Sequence, residues 1–379
     1  MNTYDYCIVG AGASGLMMAY KMANESFFNN KSILILDKEK KTTNDRTWCY
    51  WQDVDDDWQD IYYKSWNKIE FKSPISNSIQ SISPYEYKMI RSKDFYHKIW
   101  KVLESKSNFT FLKEEVTCIN ENKFSIVIKT KNCSYSAKRV LNSVFLDNTY
   151  KTQNKYPLLQ QHFVGYFIKT DCDSFDDTTA TFMDFSIPQK GNTRFMYVLP
   201  TSKTEALFEY TLFSKNLLPF KDYKEAIEIY LKKIGIKKYS IVEIEKGAIP
   251  MTSYKFWKKN TNNLIHIGTA GGWTKASTGF TFKNTIKETN KLLDFLKKEK
   301  SFNKTYKQSK FWFYDLLLLD ILYEKNYLGA KLFGSMFKNT KASKILKFLD
   351  EETSLKEDLQ IILKMPPYYF IRALFKRLF

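Results

Sequence analysis

The chain has 379 residues, 44% of them apolar and 26% charged, and its 59 Lys and Arg against 41 Asp and Glu give a net charge of +18. That balance excludes a disordered chain, a collagen and a disulfide-stapled miniprotein, and the length calls for two domains or one with a large insertion. No apolar run approaches the roughly 18–20 residues of a membrane-spanning helix, because the longest, Trp312 to Tyr323, carries Asp315 and Asp320.

Tyr4 to Val9 reads as a short buried strand, followed by Gly10-Ala11-Gly12-Ala-Ser-Gly15. Leu16, Ala19, Tyr20 and Ala23 then recur at helical spacing, and Ser32 to Asp37 is a second buried strand ending in an acid. Strand, glycine turn, helix, strand and acid make a βαβ dinucleotide unit. Gly10 allows the turn, Gly12 lets a pyrophosphate approach the backbone, and Gly15 lets the helix pack on the sheet. The helix N-terminus presents N–H groups and a positive dipole end to the phosphates. Asp37 is spaced to bind a ribose hydroxyl. The following cluster Asp53, Asp55, Asp56, Asp57 and Asp60 lacks the glycine and glutamate of a calcium loop and reads as a solvated acidic segment. With three histidines and five cysteines in no ligand spacing, no metal is expected. The cysteines read as free thiols of a reducing compartment, and no signal peptide is expected before Asp5 and the glycine motif.

Short strands are expected at Thr110–Glu114, Phe124–Lys129 and Arg139–Ser143, then a β-rich stretch at 161–169, 180–187, 194–200 and 206–213. A helix is predicted over Asp222–Ile234 and strands over Ser240–Ala248 and Asn263–Gly268. A second glycine cluster, Gly268-Thr269-Ala270-Gly271-Gly272, precedes a helix. FAD is long, and flavoproteins use such a late element to hold its isoalloxazine end; a nicotinamide enzyme has no need of it, so FAD is favoured. From Phe280 the pattern is helical almost to the end.

The predicted fold is α/β: a Rossmann-type FAD-binding domain with an inserted antiparallel β-sheet substrate domain and a helical C-terminal region. The boundaries are drawn at 1–150 plus 240–300 for the FAD domain, 151–239 for the β-rich substrate domain and 301–379 for the helical region. Residues 283–379 hold 20 Lys and Arg against 11 Asp and Glu. This excess reads either as a compositional bias running through the chain or as attraction to anionic lipid; no nucleic-acid-binding signature accompanies it.

Three strings together resemble one family. They are Asn44-Asp-Arg46-Thr-Trp48-Cys-Tyr-Trp51, the late loop from Gly268 through Trp273 and Lys275 to Gly279-Phe280, and Phe348-Leu-Asp350-Glu351-Glu352-Thr-Ser354. Weaker support comes from Gln160-Gln-His-Phe-Val-Gly165, Phe182–Phe185 and Phe208–Thr211. The chain resembles the FAD-dependent lycopene cyclases of bacterial carotenoid synthesis from residue 4 to about 365. The resemblance implies a non-redox isomerisation, in which the ends of lycopene or a related linear carotene close into β-ionone rings after protonation of a terminal double bond. It implies reduced FAD, with NAD(P)H as reductant. It also makes Glu209, an acid inside an apolar strand, the first choice for the proton donor or for cation stabilisation.

Asp184, also inside an apolar strand, reads either as a second pocket acid or as a satisfied strand-end residue. Arg46 and Arg91 are candidates to contact FAD, and Trp48, Trp51 and Trp273 to line a polyene pocket; ordinary packing is the alternative for Trp48. Related hydroxylases carry Asp where Thr269 stands. The C-terminal acids 350–352 are either active-site groups or a segment leading to a helix cap at Thr353 or Ser354. A flavin monooxygenase or polyprenyl reductase is the alternative on the same scaffold. Because lycopene dissolves in bilayers, a peripheral location at the inner face of the cytoplasmic membrane is expected. The tail from Met365 would supply the contact, with Tyr369, Phe370, Leu374 and Leu378 on an apolar face and Arg372, Lys376 and Arg377 on a basic one.

Overall fold

The computed structural model describes residues 3–123, 125–304 and 308–378; Phe124 and Phe379, each part of a predicted segment, lie outside them. The first sheet carries the dinucleotide unit. Its parallel strands run in the order Phe109–Lys113, Ile33–Asp37, Thr3–Val9, Ser134–Asn142 and Leu264–His266, with Ile126–Thr130 and Val116–Glu121 added antiparallel. Ile33 to Leu36 are all buried, as a central parallel strand covered on both faces requires. Helix Ala13–Ala23 covers one face and contacts helix Phe282–Lys297 and helix Ser92–Glu104.

The second sheet has seven strands, in the order Ser240–Met251, Leu159–Lys169, Glu205–Ser214, Thr193–Pro200, Thr179–Asp184, Lys68–Ser73 and Ser76–Ser81. Its edges come from outside the segment 151–239: one is built by residues 68–81 and the other by 240–251. The predicted boundaries therefore do not coincide with the sheets, because hydrogen-bonding register rather than chain proximity decides membership.

The 205–214 strand alternates with period two. Phe208, Tyr210 and Leu212 pack against helix Phe220–Lys233, while Leu207 and Phe213 join the core beneath the C-terminal helices. Phe71 stacks on Phe337 at 4.0 Å, and Phe185 lies 5.8 Å from Phe333, tying this sheet to helix Gly329–Asn339. A three-stranded sheet, Thr47–Gln52, Glu86–Arg91 and Tyr62–Trp66, makes a third layer. Among the described residues no helix is long and apolar enough to cross a membrane.

Candidate active site

The glycine loop is a cradle closed from behind. A Cβ on Gly15 would lie 1.9 Å from the Gly10 carbonyl oxygen, so helix and turn meet backbone to backbone. Gly10 itself has φ +96°, a region that side chains rarely adopt. Nothing lies within 4 Å of a Cβ built on Gly12, which faces open space with Ala13 and Ser14 on a cavity wall. Ala11 is buried, and its N–H donates to Asp37 Oδ2 at 2.5 Å. Asp37 thus clamps the turn as well as standing at the strand end.

The cavity, about 450 Å³, continues past Lys41, Asp45, Arg46 and Trp48 to Thr269 and Gly279. Gly268, Ala270 and Gly271 are buried, with Gly268 set against Ser14, so the early and late glycine loops meet. Thr269 Oγ1 hydrogen-bonds Thr274 Oγ1 at 2.8 Å. Two side-chain oxygens on the wall, Gln161 Oε1 and Thr278 Oγ1, are buried without a hydrogen-bond partner among the described residues. Buried polar atoms are normally paired. A cradle open at Gly12 and two orphaned oxygens near Gly279 suit a long, polar, phosphate-bearing group, and FAD fits that description.

At the far end the second sheet presents a row of side chains. Glu245, Gly165, Glu209 and Tyr197 are successive cross-strand neighbours on one face. Gly165 leaves room between the two acids: a Cβ there would lie 2.8 Å from Leu207 Cδ1 and 3.1 Å from Glu245 Cγ. The two carboxyls hydrogen-bond to each other. Glu209 Oε1 also accepts from Thr211 Oγ1 at 2.7 Å, and Glu245 Oε2 from Thr47 Oγ1 at 2.7 Å.

Burial and then the charge of Glu245 push Glu209 well above the ordinary carboxylate range. Glu245 is also raised by burial, but the Thr47 hydroxyl and the Arg91 charge oppose the rise. The two carboxyls therefore titrate as a pair whose proton is held above the ordinary carboxylate range, with Glu209 the more strongly raised member. Around them the cavity wall is Cys49, Tyr87, Leu199, Leu207 and Phe280. An acid kept protonated in an apolar chamber can deliver a proton to a weakly basic group.

The sequence matches the protein family described as "Lycopene cyclase protein" over residues 5–375. The chain belongs to the lycopene cyclase family. No curated protein sequence matches it. Among solved structures it is similar to a geranylgeranyl bacteriochlorophyll reductase-like protein from Thermoplasma acidophilum, at 14% identity and TM-score 0.64, covering 98% of each chain. It is similar to the flavin-dependent brominase Bmp2 at 12% identity and TM-score 0.65, covering 99% of each. The p-nitrophenol 4-monooxygenase PnpA from Pseudomonas putida matches at 13% identity and TM-score 0.60, covering 96% of this chain and 98% of that one. These likenesses show a common fold.

Within this lycopene cyclase family member, several predicted site residues lie elsewhere. Asp184 lies outside the cavity: its strand shifts register between Thr181 and Asp184, and its carboxylate accepts from the Tyr230 hydroxyl at 2.8 Å and the Ser186 N–H at 2.7 Å. It fastens the 220–233 helix, the strand-end alternative. Arg91 does not reach the glycine loops. It pairs with Glu243 at 2.6 Å and lies over Phe167, acting on the site only through the charge it places near Glu245.

Trp48 lines the cavity, but Trp51 is buried between Phe280 and Phe182, and Trp273 packs against the core of the first sheet. Their strand and loop registers turn these rings inward to hydrophobic neighbours. Nor is the acidic segment simply solvated: Asp56 accepts from Tyr50 and Tyr62, each at 2.7 Å. Glu245, Gly165 and Gln161 were not read as site residues. The last two lie in the Gln160–Gly165 string, which carried resemblance but no assigned chemistry.

The C-terminal acids are structural ties. Asp350 pairs with Lys283, Glu351 with Lys275 at 3.2 Å and Glu352 with Lys287 at 2.6 Å. Ser354 and Glu357 form a complete capping box on helix Leu355–Ile362. The tail helix, Pro367–Leu378, is docked differently from the expected division into faces. Tyr369, Phe370 and Leu374 pack inward, Arg377 pairs with buried Asp320, and Lys376 pairs with Glu324. The exposed apolar stripe is instead Tyr368, Ile371 and Leu378, beside Leu355 and Leu359 of the preceding helix and Leu363 at its C-terminal end. Packing against the Lys310–Glu324 helix fixes that rotation.

Proposed function

We infer that this chain is a lycopene β-cyclase, closing the ends of lycopene or a related linear carotene into β-ionone rings. The observation that carries the reading is the Glu209–Glu245 pair, two buried carboxyls beside Leu199, Leu207 and Phe280 in the same cavity as the glycine cradle. Glu209 donates its proton to the terminal double bond. The resulting tertiary cation is attacked by the neighbouring alkene, which forms the ring bond and moves the positive charge into the ring. Loss of a ring proton to the carboxylate pair restores the starting protonation state, so atoms and electrons balance without an oxidant. Glu245 keeps a negative charge within reach of the cation. Leu199, Leu207 and Phe280 exclude the water that would quench it.

Gly12, Ala13, Ser14, Arg46, Thr269 and Gly279 would hold FAD. Bound there in its reduced form, FAD would supply electron density to steady the cation, with NAD(P)H as its reductant. The Leu355, Leu359, Leu363, Tyr368 and Ile371 surface, interspersed with exposed Lys356, Lys364 and Arg372, suits an anionic bilayer at the inner face of the cytoplasmic membrane.

Expression in a lycopene-accumulating host followed by pigment chromatography tests the reading. β-Carotene is expected. Unchanged lycopene beside flavin-loaded protein would refute it, and NADPH consumed in step with product would favour a monooxygenase or reductase.

A further inference from the structure

A second cavity, about 360 Å³, lies inside the C-terminal helices. Leu317, Leu332, Phe333, Met336, Phe348 and Phe370 make its wall. At its inner end Ser277 Oγ donates to Asp315 Oδ1 at 2.7 Å, and Lys275 Nζ lies 3.2 Å from Asp315 Oδ2. These polar groups are satisfied by one another. Thr278, whose Oγ1 has no hydrogen-bond partner among the described residues, lines both this cavity and the reaction cavity. At the outer end Leu359, Leu363 and Ile371 line the cavity and are 57, 67 and 52% exposed. The chamber therefore has a mouth on the exposed apolar stripe and a floor shared with the reaction cavity.

A hydrocarbon-walled chamber of this size does not hold ordered water well, and its occupant must be apolar. We propose that this chamber binds the straight hydrocarbon chain of a linear polyene, and that the chain enters from lipid through the Leu359–Leu363–Ile371 mouth. The assignment rests on the cyclase reading for the polyene's identity, and on the cavity's own chemistry for hydrocarbon binding. A linear chain suits the geometry because the chamber runs inward from a surface opening to Thr278, which also lines the reaction cavity.

The test uses cis-parinaric acid, a conjugated straight-chain fatty acid that fluoresces in apolar surroundings, with the flavin-loaded protein. Wild type should bind it. Met336→Trp, which fills the chamber, should weaken binding about tenfold or more while flavin content is kept. In Ile371→Cys, an exposed position at the mouth, parinaric acid should slow maleimide labelling of the new thiol several-fold. Should Met336→Trp fail to fold, this protection decides the question alone.

Undiminished binding to a folded, flavin-loaded Met336→Trp protein, or an unprotected Cys at 371, would overturn the proposal. So would loss of binding in Glu209→Gln, because it would put the probe in the reaction cavity. If the probe behaves as expected but lycopene is never cyclised, the cyclase reading falls and the hydrocarbon chamber stands.

Discussion

Glu209 and Glu245 behave as one titrating unit, and each substitution should read out differently. Glu209→Gln removes the transferable proton but keeps the shape; cyclisation should fall about 10²–10⁴-fold with flavin content unchanged. Glu245→Gln removes the charge that helps to hold Glu209 protonated. The Glu209 pKa should then fall, and the alkaline limb of the rate–pH profile should move to lower pH. An unmoved limb would mean that Glu245 does not sense the donor.

The pair also links stability to pH. Glu209, held above its ordinary value of 4.5, binds its proton more tightly folded than unfolded. Its contribution to stability is complete below that value and drains away as pH rises through the folded-state titration. From about pH 5 to pH 9 the melting temperature of wild type should therefore fall more than that of Glu209→Gln. Asp184→Asn should leave cyclisation within about twofold, while costing roughly 1–3 kcal/mol through the weakened Tyr230 tie.

Strand register decides which acids meet. The glycine loop was legible in the sequence because its strand, turn, helix and Asp37 lie within 34 consecutive residues from Tyr4, and each glycine answers a local steric demand. Glu209 was legible because an acid among Leu207, Phe208 and Tyr210 is conspicuous. Glu245 was not: its strand alternates Glu with Ile and reads as an ordinary amphipathic edge, and its partner lies two strands away across Gly165. The tail's rotation and the inward turn of Trp51 escaped for the same reason, since both are set by tertiary contacts that no local pattern encodes.

Gly165 is where this dependence can be tested. A Gly165→Ala methyl group would press on Leu207 and Glu245, so we expect destabilisation of about 1–3 kcal/mol. Cyclisation should drop at least about tenfold as the two carboxyls are moved apart, with flavin binding intact. Activity equal to wild type would show that their spacing is unimportant.

At the scale of the molecule, two glycine loops and a carboxyl pair share one cavity, and a second, apolar cavity in the C-terminal helices opens on an exposed hydrophobic stripe. The net charge of +18 and that stripe together predict binding to anionic vesicles. Salt should weaken it, and replacing Leu359 and Leu363 with Ser should weaken it further without changing flavin content.

The central claim is that a carboxyl proton, and no electron pair, is what the protein transfers. Mass spectrometry of the product formed in heavy water, with NADPH consumption followed in the same sample, tests it most directly. The account predicts one retained deuteron per ring, no other change in mass and no NADPH consumed per turnover. A product heavier by an oxygen atom or by two hydrogens, formed with equivalent NADPH loss, would contradict it.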